Sequence, residues 1–556
     1  MLVFEKGGPI TYNDVVQQGK VLHELQRLCR AVQYGNNWVS VRKDPPQVEA
    51  NFPRPNVTLL SPAFTNPGSV PPEFSNGTEG PTSDAILNTY LESLAEKNQW
   101  LTYQPADYLS EEGKTFPYVF LSLYSVAPEP GNMAAYRESA PEGKVRVWIQ
   151  GAVHGNEPAG DQAVMALLGK LDADQTWAKS LLEKLDILIL PRYNPDGVAY
   201  FQRTLATNFD PNRDHIKLAR QQTRDIKETF TGFAPHVAAD MHEYGAATRY
   251  GGLYVQASDG LFSAAKNLNI DPAIRNLSET LFAPRIGENL VRGGFRWEPY
   301  VTGSSSTVPN STITFAEAGS DAKIGRNAMG LTQCVTFLFE MRGIGIADQE
   351  FYRRTAAGLS MLESTVQIAA DNSELVYDTV EGGIQNFVDS REPLVVTDRT
   401  QLSTRNWQFV EYATGNLVSV PVQFRSTTPT IANLTRPRPE AYIIPRSWSD
   451  LAARLEVAGL DVEILPNTFR GNVEVLTAQS LEFDSTYYEG VVLATVTTTA
   501  SQKTVELPPG SFRVSTRQKN AALAINALEP ENIDSYVSFN IIPLEPSDEY
   551  PVYRQL

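Results

Sequence analysis

Five histidines occur in this chain of 556 residues, and two of them stand where they could bind a metal ion. His154 and Glu157 are three residues apart, so on a tight turn the imidazole and the carboxylate can converge on one cation. His242 would add a second nitrogen ligand if it came from a neighbouring strand. Two nitrogens and one carboxylate, with a water in the remaining position, are typical of an open catalytic zinc site. These three residues are therefore candidate ligands of one Zn²⁺ ion, although a His-x-x-Glu spacing by itself often occurs by chance.

These residues need a scaffold, and polar residues follow or close four apolar runs that are typical of buried strands. The predicted strands are Val145–Val153, Leu185–Leu190, Val237–Met241 and Val335–Phe339. Helical apolar spacing lies between or after them, at Asp161–Leu171 and Arg353–Ala370. We expect an α/β fold with a mixed, mostly parallel central sheet flanked by helices. In open sheets of this kind, sites form beyond the carboxyl ends of the strands.

The motifs at the strand ends resemble those of the zinc metallocarboxypeptidases, the carboxypeptidase A-like family, and they occur in the correct order. The resemblance covers roughly residues 82–372. It rests on His154-Gly-Asn-Glu157, Asn194-Pro-Asp-Gly197, Asp210-Pro-Asn-Arg213, Asp240-Met-His242-Glu-Tyr244 and Thr336-Phe-Leu-Phe-Glu340-Met-Arg342-Gly. It implies that the first and fourth of these motifs supply the zinc ligands.

The resemblance also implies the roles of the residues around the metal. Glu340 would take a proton from metal-activated water and hand it to the departing amine. Arg203 would stabilise the oxyanion of the tetrahedral intermediate. Asn212 and Arg213 would bind the terminal carboxylate of the substrate, because a guanidinium can pair with it through two hydrogen bonds. Asp210 would accept the second ring N–H of the first histidine ligand and fix its tautomer.

Two further substrate-binding residues are expected in the stretch before Glu340. Tyr300 is the nearest upstream tyrosine, and we predict that it contacts the substrate. Arg326 lies 14 residues before the glutamate in a loop flanked by glycines, where it could supply positive charge to the side-chain pocket or to the terminal carboxylate. His215 and His236 have no partner motif, so we expect them to be structural.

The predicted function is zinc-dependent hydrolysis that removes C-terminal residues from peptides by attack of metal-activated water. The substrate would be a peptide or an amino-acid conjugate with a free carboxylate. A zinc amidohydrolase or deacylase acting on small N-acyl amino acids would need the same ligands and the same carboxylate clamp. A non-catalytic zinc-binding relative is the third alternative, and the retained Glu340 argues against it.

Composition excludes other classes of partner. The chain has 47 Lys and Arg against 64 Asp and Glu, a net charge of −17, so we expect no nucleic-acid partner. Its longest apolar runs are shorter than the ~18 residues that span a bilayer, so we expect no membrane span. The N-terminus lacks the basic and apolar regions of a secretory signal. The sequence does not determine the compartment. The protein would be secreted if a signal peptide has been removed, and cytoplasmic otherwise.

Three regions are expected along the chain: an N-terminal helix and proline-rich arm (1–81), a zinc carboxypeptidase-like catalytic domain (82–374) and a β-rich accessory domain (375–556). The first helix is predicted from a capping box at Thr11–Asp14 and helical spacing that continues to Val32. A second helix is predicted at Asp84–Lys97. The accessory region alternates in short segments, with one helix capped by Ser447 and ended at Gly459. We see no gathering of catalytic residue types in it.

Overall fold

The computed structural model describes residues 30–34, 37–65, 81–129 and 133–556. The strands, numbered along the chain, are β1 (Arg30–Tyr34), β2 (Asn37–Val41), β3 (Leu101–Leu109), β4 (Thr115–Leu121), β5 (Val145–Gln150), β6 (Leu185–Leu190), β7 (Val237–Gly245), β8 (Tyr254–Gln256), β9 (Gly260–Ala264), β10 (Trp297–Pro299), β11 (Val301–Gly303), β12 (Thr314–Glu317), β13 (Val335–Ile344), β14 (Leu394–Glu411), β15 (Leu417–Arg436), β16 (Ala441–Ile444), β17 (Glu463–Ile464), β18 (Phe469–Tyr488), β19 (Val491–Leu507), β20 (Phe512–Ser515) and β21 (Tyr553–Gln555).

The α-helices are α1 (Pro46–Glu49), α2 (Pro62–Thr65), α3 (Asp84–Lys97), α4 (Ala134–Ser139), α5 (Ala159–Ala173), α6 (Gln175–Leu182), α7 (Pro195–Tyr200), α8 (Gln221–Phe233), α9 (Pro272–Leu277), α10 (Ala283–Arg292), α11 (Gly325–Gly330), α12 (Phe351–Asp371), α13 (Ser373–Asp389), α14 (Ser449–Val457) and α15 (Ala521–Leu528). Short 3₁₀ turns occupy Pro211–Arg213 and Arg446–Trp448, and a π turn joins α9 to α10. Within the described residues, no helix is long and apolar enough to cross a bilayer.

The strands between Leu101 and Ile344 include an eight-stranded sheet, in the order β10-β9-β13-β7-β5-β6-β4-β3. The four middle strands β13, β7, β5 and β6 are parallel, whereas β9, β4 and β3 join antiparallel to their inner neighbours. Every residue of β6 is buried, as expected for a parallel strand that is covered on both faces. Helices α5 and α12 pack on each other over this sheet. The predicted α/β class with a mixed, mostly parallel sheet is confirmed.

The predicted strand ends differ from the observed ones in a way that matters for the site. β7 and β13 continue four and five residues beyond the predicted apolar runs, so His242 and Glu340 lie inside strands. The hydrogen-bonded register between them runs on past both residues, where buried Glu243 pairs with Arg354 and buried Arg342 pairs with Asp44. β5 ends three residues early, since the chain turns away through Ala152, whose φ is +49°.

The N-terminal prediction is partly wrong. Residues 11–29 of the predicted helix lie outside the described residues, but Val32 lies in β1, which pairs antiparallel with β2. The proline-rich stretch that follows forms only the two single-turn helices α1 and α2 among its described residues. It contacts α12, where Arg353 Nη1 donates to Pro53 O at 2.8 Å. The second predicted helix matches α3.

The C-terminal region is built on two long hairpins, β14–β15 and β18–β19. The first joins strands from the middle of the chain in a five-stranded sheet, β11-β12-β15-β14-β8, and the second belongs to a six-stranded sheet, β17-β20-β16-β21-β18-β19. The predicted division after residue 374 stays a prediction; it falls in the first turn of α13, which packs against α9 and β5.

One predicted cap in this region is wrong. Ser447 does not cap α14, because the helical winding begins earlier, with the Trp448 N–H donating to Pro445 O at 2.9 Å. The helix starts at Ser449 and its cap residue makes no side-chain hydrogen bond. Gly459 follows the helix with a φ of +76°, as expected for a glycine after a helix end.

Candidate active site

Three potential metal ligands converge at the carboxyl ends of two neighbouring strands. His154 and Glu157 lie on the turn between β5 and α5, and His242 lies in β7. His154 Nδ1 is 2.8 Å from Glu157 Oε1 and 3.1 Å from His242 Nδ1, while His242 Nδ1 is 2.9 Å from Glu157 Oε2. All three residues are buried. Among the described residues, no other set of three histidine, cysteine or acidic side chains clusters in this way.

The other nitrogen of each ring has a carboxylate partner. His154 Nε2 lies 3.1 Å from Asp210 Oδ1, and His242 Nε2 lies 3.1 Å from Asp240 Oδ1. These carboxylates assign the ring proton to Nε2, so both Nδ1 lone pairs point at the same place as the Glu157 carboxylate. Three electron-pair donors so close together repel one another unless a cation lies between them. The donor set therefore fits a zinc ion.

The turn that carries the first two ligands is held by a very close backbone approach. A Cβ atom on Gly155 would lie 1.9 Å from the carbonyl carbon of Gly197. The second glycine belongs to the turn that begins at Asn194, whose Oδ1 accepts from the Gly197 N–H at 2.9 Å and whose Nδ2 donates to Thr204 O. The motif Asn194–Gly197 thus packs against the turn that carries His154 and Glu157, and it does not supply a ligand itself.

Glu340 is the cross-strand neighbour of His242, since β13 and β7 are parallel and pair these two residues. Glu340 is 7 % exposed and lines the same pocket as His154 and Glu157. Burial raises the pKa of Glu340 to about 8, with the Glu157 carboxylate adding to the rise and His242 and Arg203 opposing it. A buried carboxyl group in this position can take up and release a proton.

Arg203 lies at the edge of the metal site, where its side chain is 39 % exposed. Its Nε donates to Asp210 Oδ2 at 2.9 Å, and its Nη1 is 3.4 Å from Glu157 Oε1. The pKa of Asp210 lies well below its usual range, because His154 and Arg203 outweigh the effect of burial. Asp210 therefore stays ionised and holds both the histidine and the guanidinium.

Asn212 and Arg213 follow on the 3₁₀ turn, next to the ligands. Asp210 Oδ1 caps this turn by accepting the Asn212 N–H at 2.8 Å. Asn212 Oδ1 accepts the Gly325 N–H at 2.6 Å, and Arg213 Nη1 donates to Asn212 O at 2.8 Å. Both side chains line a pocket of about 560 Å³ that is also lined by two of the three ligands, His154 and Glu157. The predicted clamp residues are thus beside the metal site.

Tyr300 and Arg326 line the same pocket. Burial, together with the Glu340 carboxylate, raises the pKa of Tyr300, so its hydroxyl remains a donor. Arg326 is 1 % exposed and its Nη2 donates to Gly319 O at 2.6 Å, but its Nε has no hydrogen-bond partner. Within the described residues it forms no ion pair, and burial lowers its pKa. The pocket therefore contains a buried cation without a partner anion.

Sequence reasoning missed three residues of the site. Asp240, which holds His242, could have been found from its position two residues earlier on the same strand face. Tyr488 also lines the pocket, and Glu489 Oε2 accepts the backbone N–H of Asp210 at 2.8 Å. The pair Glu489-Gly490 predicts a turn between two strands, but nothing in the sequence indicates where that turn docks.

A larger cavity of about 710 Å³ lies between α10 and β15, away from the metal ligands. Its walls include Phe262, Trp297 and Phe424, and no histidine is among the residues that line it. The charged Lys266 in its wall is already paired with Glu279 at 2.5 Å. The chemistry of the molecule is therefore concentrated in the smaller pocket.

Comparisons with known proteins give one family. A family model described as zinc carboxypeptidase matches residues 110–249. The protein named carboxypeptidase 2 of Trichophyton tonsurans is 54 % identical over 527 residues, which cover 94 % of this chain and 96 % of the relative. The protein of the same name from Trichophyton rubrum is 54 % identical over 528 residues, with the same shares of the two chains. A carboxypeptidase A structure from Helicoverpa armigera aligns with 64 % of this chain and 87 % of its own, at 15 % identity and a TM-score of 0.37.

Proposed function

This chain belongs to the zinc carboxypeptidase family, and we propose that His154, Glu157 and His242 hold its zinc ion while Glu340 acts as the general base. The protein removes C-terminal residues from peptides in a zinc-dependent reaction, so the predicted activity and cofactor are confirmed. The observation that carries the proposed roles is the convergence of two Nδ1 atoms and one carboxylate beside a buried glutamate.

A zinc ion held by these ligands supplies Lewis acidity to the scissile carbonyl and lowers the pKa of a coordinated water. The carboxylate of Glu340 accepts the proton of the attacking water and later gives it to the amine nitrogen that leaves. The guanidinium of Arg203 donates hydrogen bonds to the oxyanion as negative charge develops there. Asn212 and Arg213 bind the terminal carboxylate, and Tyr300 donates a hydrogen bond to the substrate.

The first experiment compares the wild type with Glu340→Gln on a mixed peptide pool, with and without a zinc chelator. We expect stepwise loss of C-terminal residues by the wild type alone, abolished by the chelator. Because a positioned general base contributes about 10²–10⁴-fold, kcat of the variant should fall at least about a hundredfold while its zinc content stays unchanged. Glu96→Gln, on the exposed side of α3, is the matched control and should retain full activity. Equal activity of the two variants would remove Glu340 from its proposed role.

Peptides are the first substrate class to test, and small amino-acid conjugates with a free carboxylate are the second. Asn212 and Arg213 would bind only the terminal carboxylate of the substrate, which both substrate classes have. Activity on acyl amino acids without activity on peptides would favour the deacylase alternative. Peptides whose C-terminus is amidated should resist hydrolysis in either case.

We infer in addition that Arg326 favours substrates with an acidic C-terminal side chain. A buried guanidinium without a partner anion is costly, and a bound carboxylate would compensate it. The test uses two peptides that end in Glu or in Gln, which are nearly identical in shape. The wild type should prefer Glu by about tenfold or more in kcat/KM, and Arg326→Gln should lose that preference. Arg285→Gln on the exposed side of α10 should keep it; an unchanged preference in Arg326→Gln would contradict the inference.

A further inference from the structure

We propose that the tip of the β18–β19 hairpin is part of the active site, where Tyr488 binds the terminal carboxylate of the substrate and Glu489 positions the loop that orients His154. This inference rests on the proposed function. It gives the C-terminal region, which is not covered by the matching family model, a direct part in the reaction.

The first observation is the environment of Tyr488. Its side chain lines the pocket that contains His154, Glu157 and the carboxylate clamp, although it comes from a strand far along the chain. Its hydroxyl oxygen is buried and has no hydrogen-bond partner within the described part of the chain. The charges that act on it are the cations Lys323 and Arg213 and the carboxylates of Asp534 and Glu489. Lys323 is already paired with Asp534, so Arg213 is the cation left to hold an anionic ligand. A substrate carboxylate bound by Arg213 would give the Tyr488 hydroxyl an acceptor.

Glu489 provides the second observation, because its carboxylate is fixed on the backbone of a residue that holds a metal ligand. Its Oε2 accepts the Asp210 N–H at 2.8 Å, and Asp210 in turn accepts from His154 Nε2. The chain turns sharply here, with φ of +46° at Glu489 and +92° at Gly490. A Cβ atom on this glycine would lie 3.0 Å from the ring of Phe209, so the tip sits directly on the loop.

The C-terminal region also contacts a second loop of the pocket, the one that carries Lys323. Asp534 is buried and accepts from Lys323 twice, from the backbone N–H at 2.9 Å and from Nζ at 2.7 Å. Lys323 precedes Gly325, whose N–H binds Asn212 Oδ1. Both loops that carry clamp and positioning residues are therefore fixed from the C-terminal side.

Tyr488→Phe in the full chain tests the substrate contact, since it removes one oxygen atom and nothing else. KM for a blocked dipeptide with a free carboxylate should rise about five- to tenfold, the loss of one hydrogen bond to a charged group, with kcat within about twofold of the wild type. The melting temperature should not fall, because the hydroxyl has no partner to lose in the free protein. Tyr487→Phe, the neighbouring tyrosine that is 75 % exposed, should leave all three values unchanged.

An unchanged KM in Tyr488→Phe would overturn the substrate contact. A lower melting temperature with unchanged kinetics would also overturn it, since it would show that the hydroxyl supports the fold only. A wild type that releases no C-terminal residue would contradict the proposed function instead, so the two failures are distinguishable.

Glu489→Ala and Glu489→Gln together test the positioning role. Alanine removes the acceptor of the Asp210 N–H, whereas the amide oxygen of glutamine can replace it. With alanine we expect zinc to dissociate about tenfold faster in a chelator challenge and kcat to fall by a similar factor. Glutamine should restore both values to within about twofold. Zinc dissociation at the wild-type rate in Glu489→Ala, or no rescue by glutamine, would overturn the role.

Discussion

At the scale of residues, the site depends on which ring nitrogen of each histidine is left free. The carboxylates of Asp210 and Asp240 accept hydrogen bonds from the protonated Nε2 atoms, so both Nδ1 atoms are available to one ion. The sequence indicates the first of these pairs only through the family resemblance. The second pair could have been expected from the position of Asp240, two residues before His242 on the same strand face.

In the carboxylate clamp of Asn212 and Arg213, one substitution can separate the effect of hydrogen bonding from the effect of positive charge. Arg213→Lys keeps the positive charge but cannot form two parallel hydrogen bonds to a carboxylate. We expect KM for peptides to rise about tenfold or more, with kcat less affected, in steady-state kinetics. Unchanged KM in this variant would mean that the terminal carboxylate is bound elsewhere in the pocket.

At the scale of elements, the metal-binding turn and the turn that begins at Asn194 behave as one unit. Gly155→Ala would drive a Cβ atom into the backbone of Gly197, so we expect unfolding to become easier by more than about 3 kcal/mol and zinc binding to be lost. Gly382→Ala in α13 is the matched control, because a Cβ atom there would meet nothing within 4 Å. That substitution should be neutral or stabilise by about 0.5–1 kcal/mol. Denaturant unfolding and zinc content measure both.

His236 links three elements and makes the fold sensitive to acid. Its Nδ1 accepts the Arg146 N–H at 2.8 Å and its Nε2 donates to Glu381 Oε1 at 2.9 Å, so the neutral ring is required. Burial lowers the pKa of His236 to about 4, with Arg146 and Lys519 adding to the fall and Glu381 opposing it. The unfolded chain binds a proton below about pH 6.5 and the folded chain only below about pH 4, so stability decreases as the pH falls between these values.

Between pH 7 and pH 5 this residue should therefore reduce the free energy of unfolding by about 2 kcal/mol. His236→Gln removes the titrating group, and its unfolding free energy should depend less on pH over the same interval. Denaturant titrations at pH 7, 6 and 5 measure the two slopes. Parallel slopes for wild type and variant would assign the acid sensitivity to other groups.

At the scale of the whole molecule, the segment after β2 is bound by an ion pair to β13, the strand that carries Glu340. Asp44 Oδ2 lies 2.5 Å from Nη2 of the buried Arg342, two residues beyond Glu340. Asp44→Ala leaves that arginine with Glu350 as its only ion-pair partner among the described residues, and we expect a loss of about 3 kcal/mol in unfolding free energy. Lys43→Ala, which removes an ion pair with a 43 % exposed lysine, should cost less than about 1 kcal/mol. Similar losses in the two variants would contradict the argument.

The sequence was sufficient for the parts of the fold that depend on local pattern and insufficient for those that depend on docking. The apolar runs predicted the four parallel strands, and the helix α3 was also expected. The zinc site of His154, Glu157 and His242 was predicted from the ordered motifs that resemble the zinc metallocarboxypeptidases. The apolar runs did not predict that β7 and β13 continue through charged residues, because buried ion pairs replace apolar contacts there. Nor could any local pattern predict that Tyr488 reaches the pocket, since that contact depends on the register of a long hairpin.

The bond between Glu489 and Asp210 joins residues that are 279 positions apart in the chain. Closing so long a loop is slow compared with forming helices or neighbouring strands, so this contact should be among the last to form during folding. During synthesis, the metal-binding segments leave the ribosome long before the hairpin that completes their pocket. We therefore expect a growing or truncated chain that lacks the β18–β19 hairpin to have no peptidase activity. Activity would then begin only after the hairpin has been synthesised and has docked.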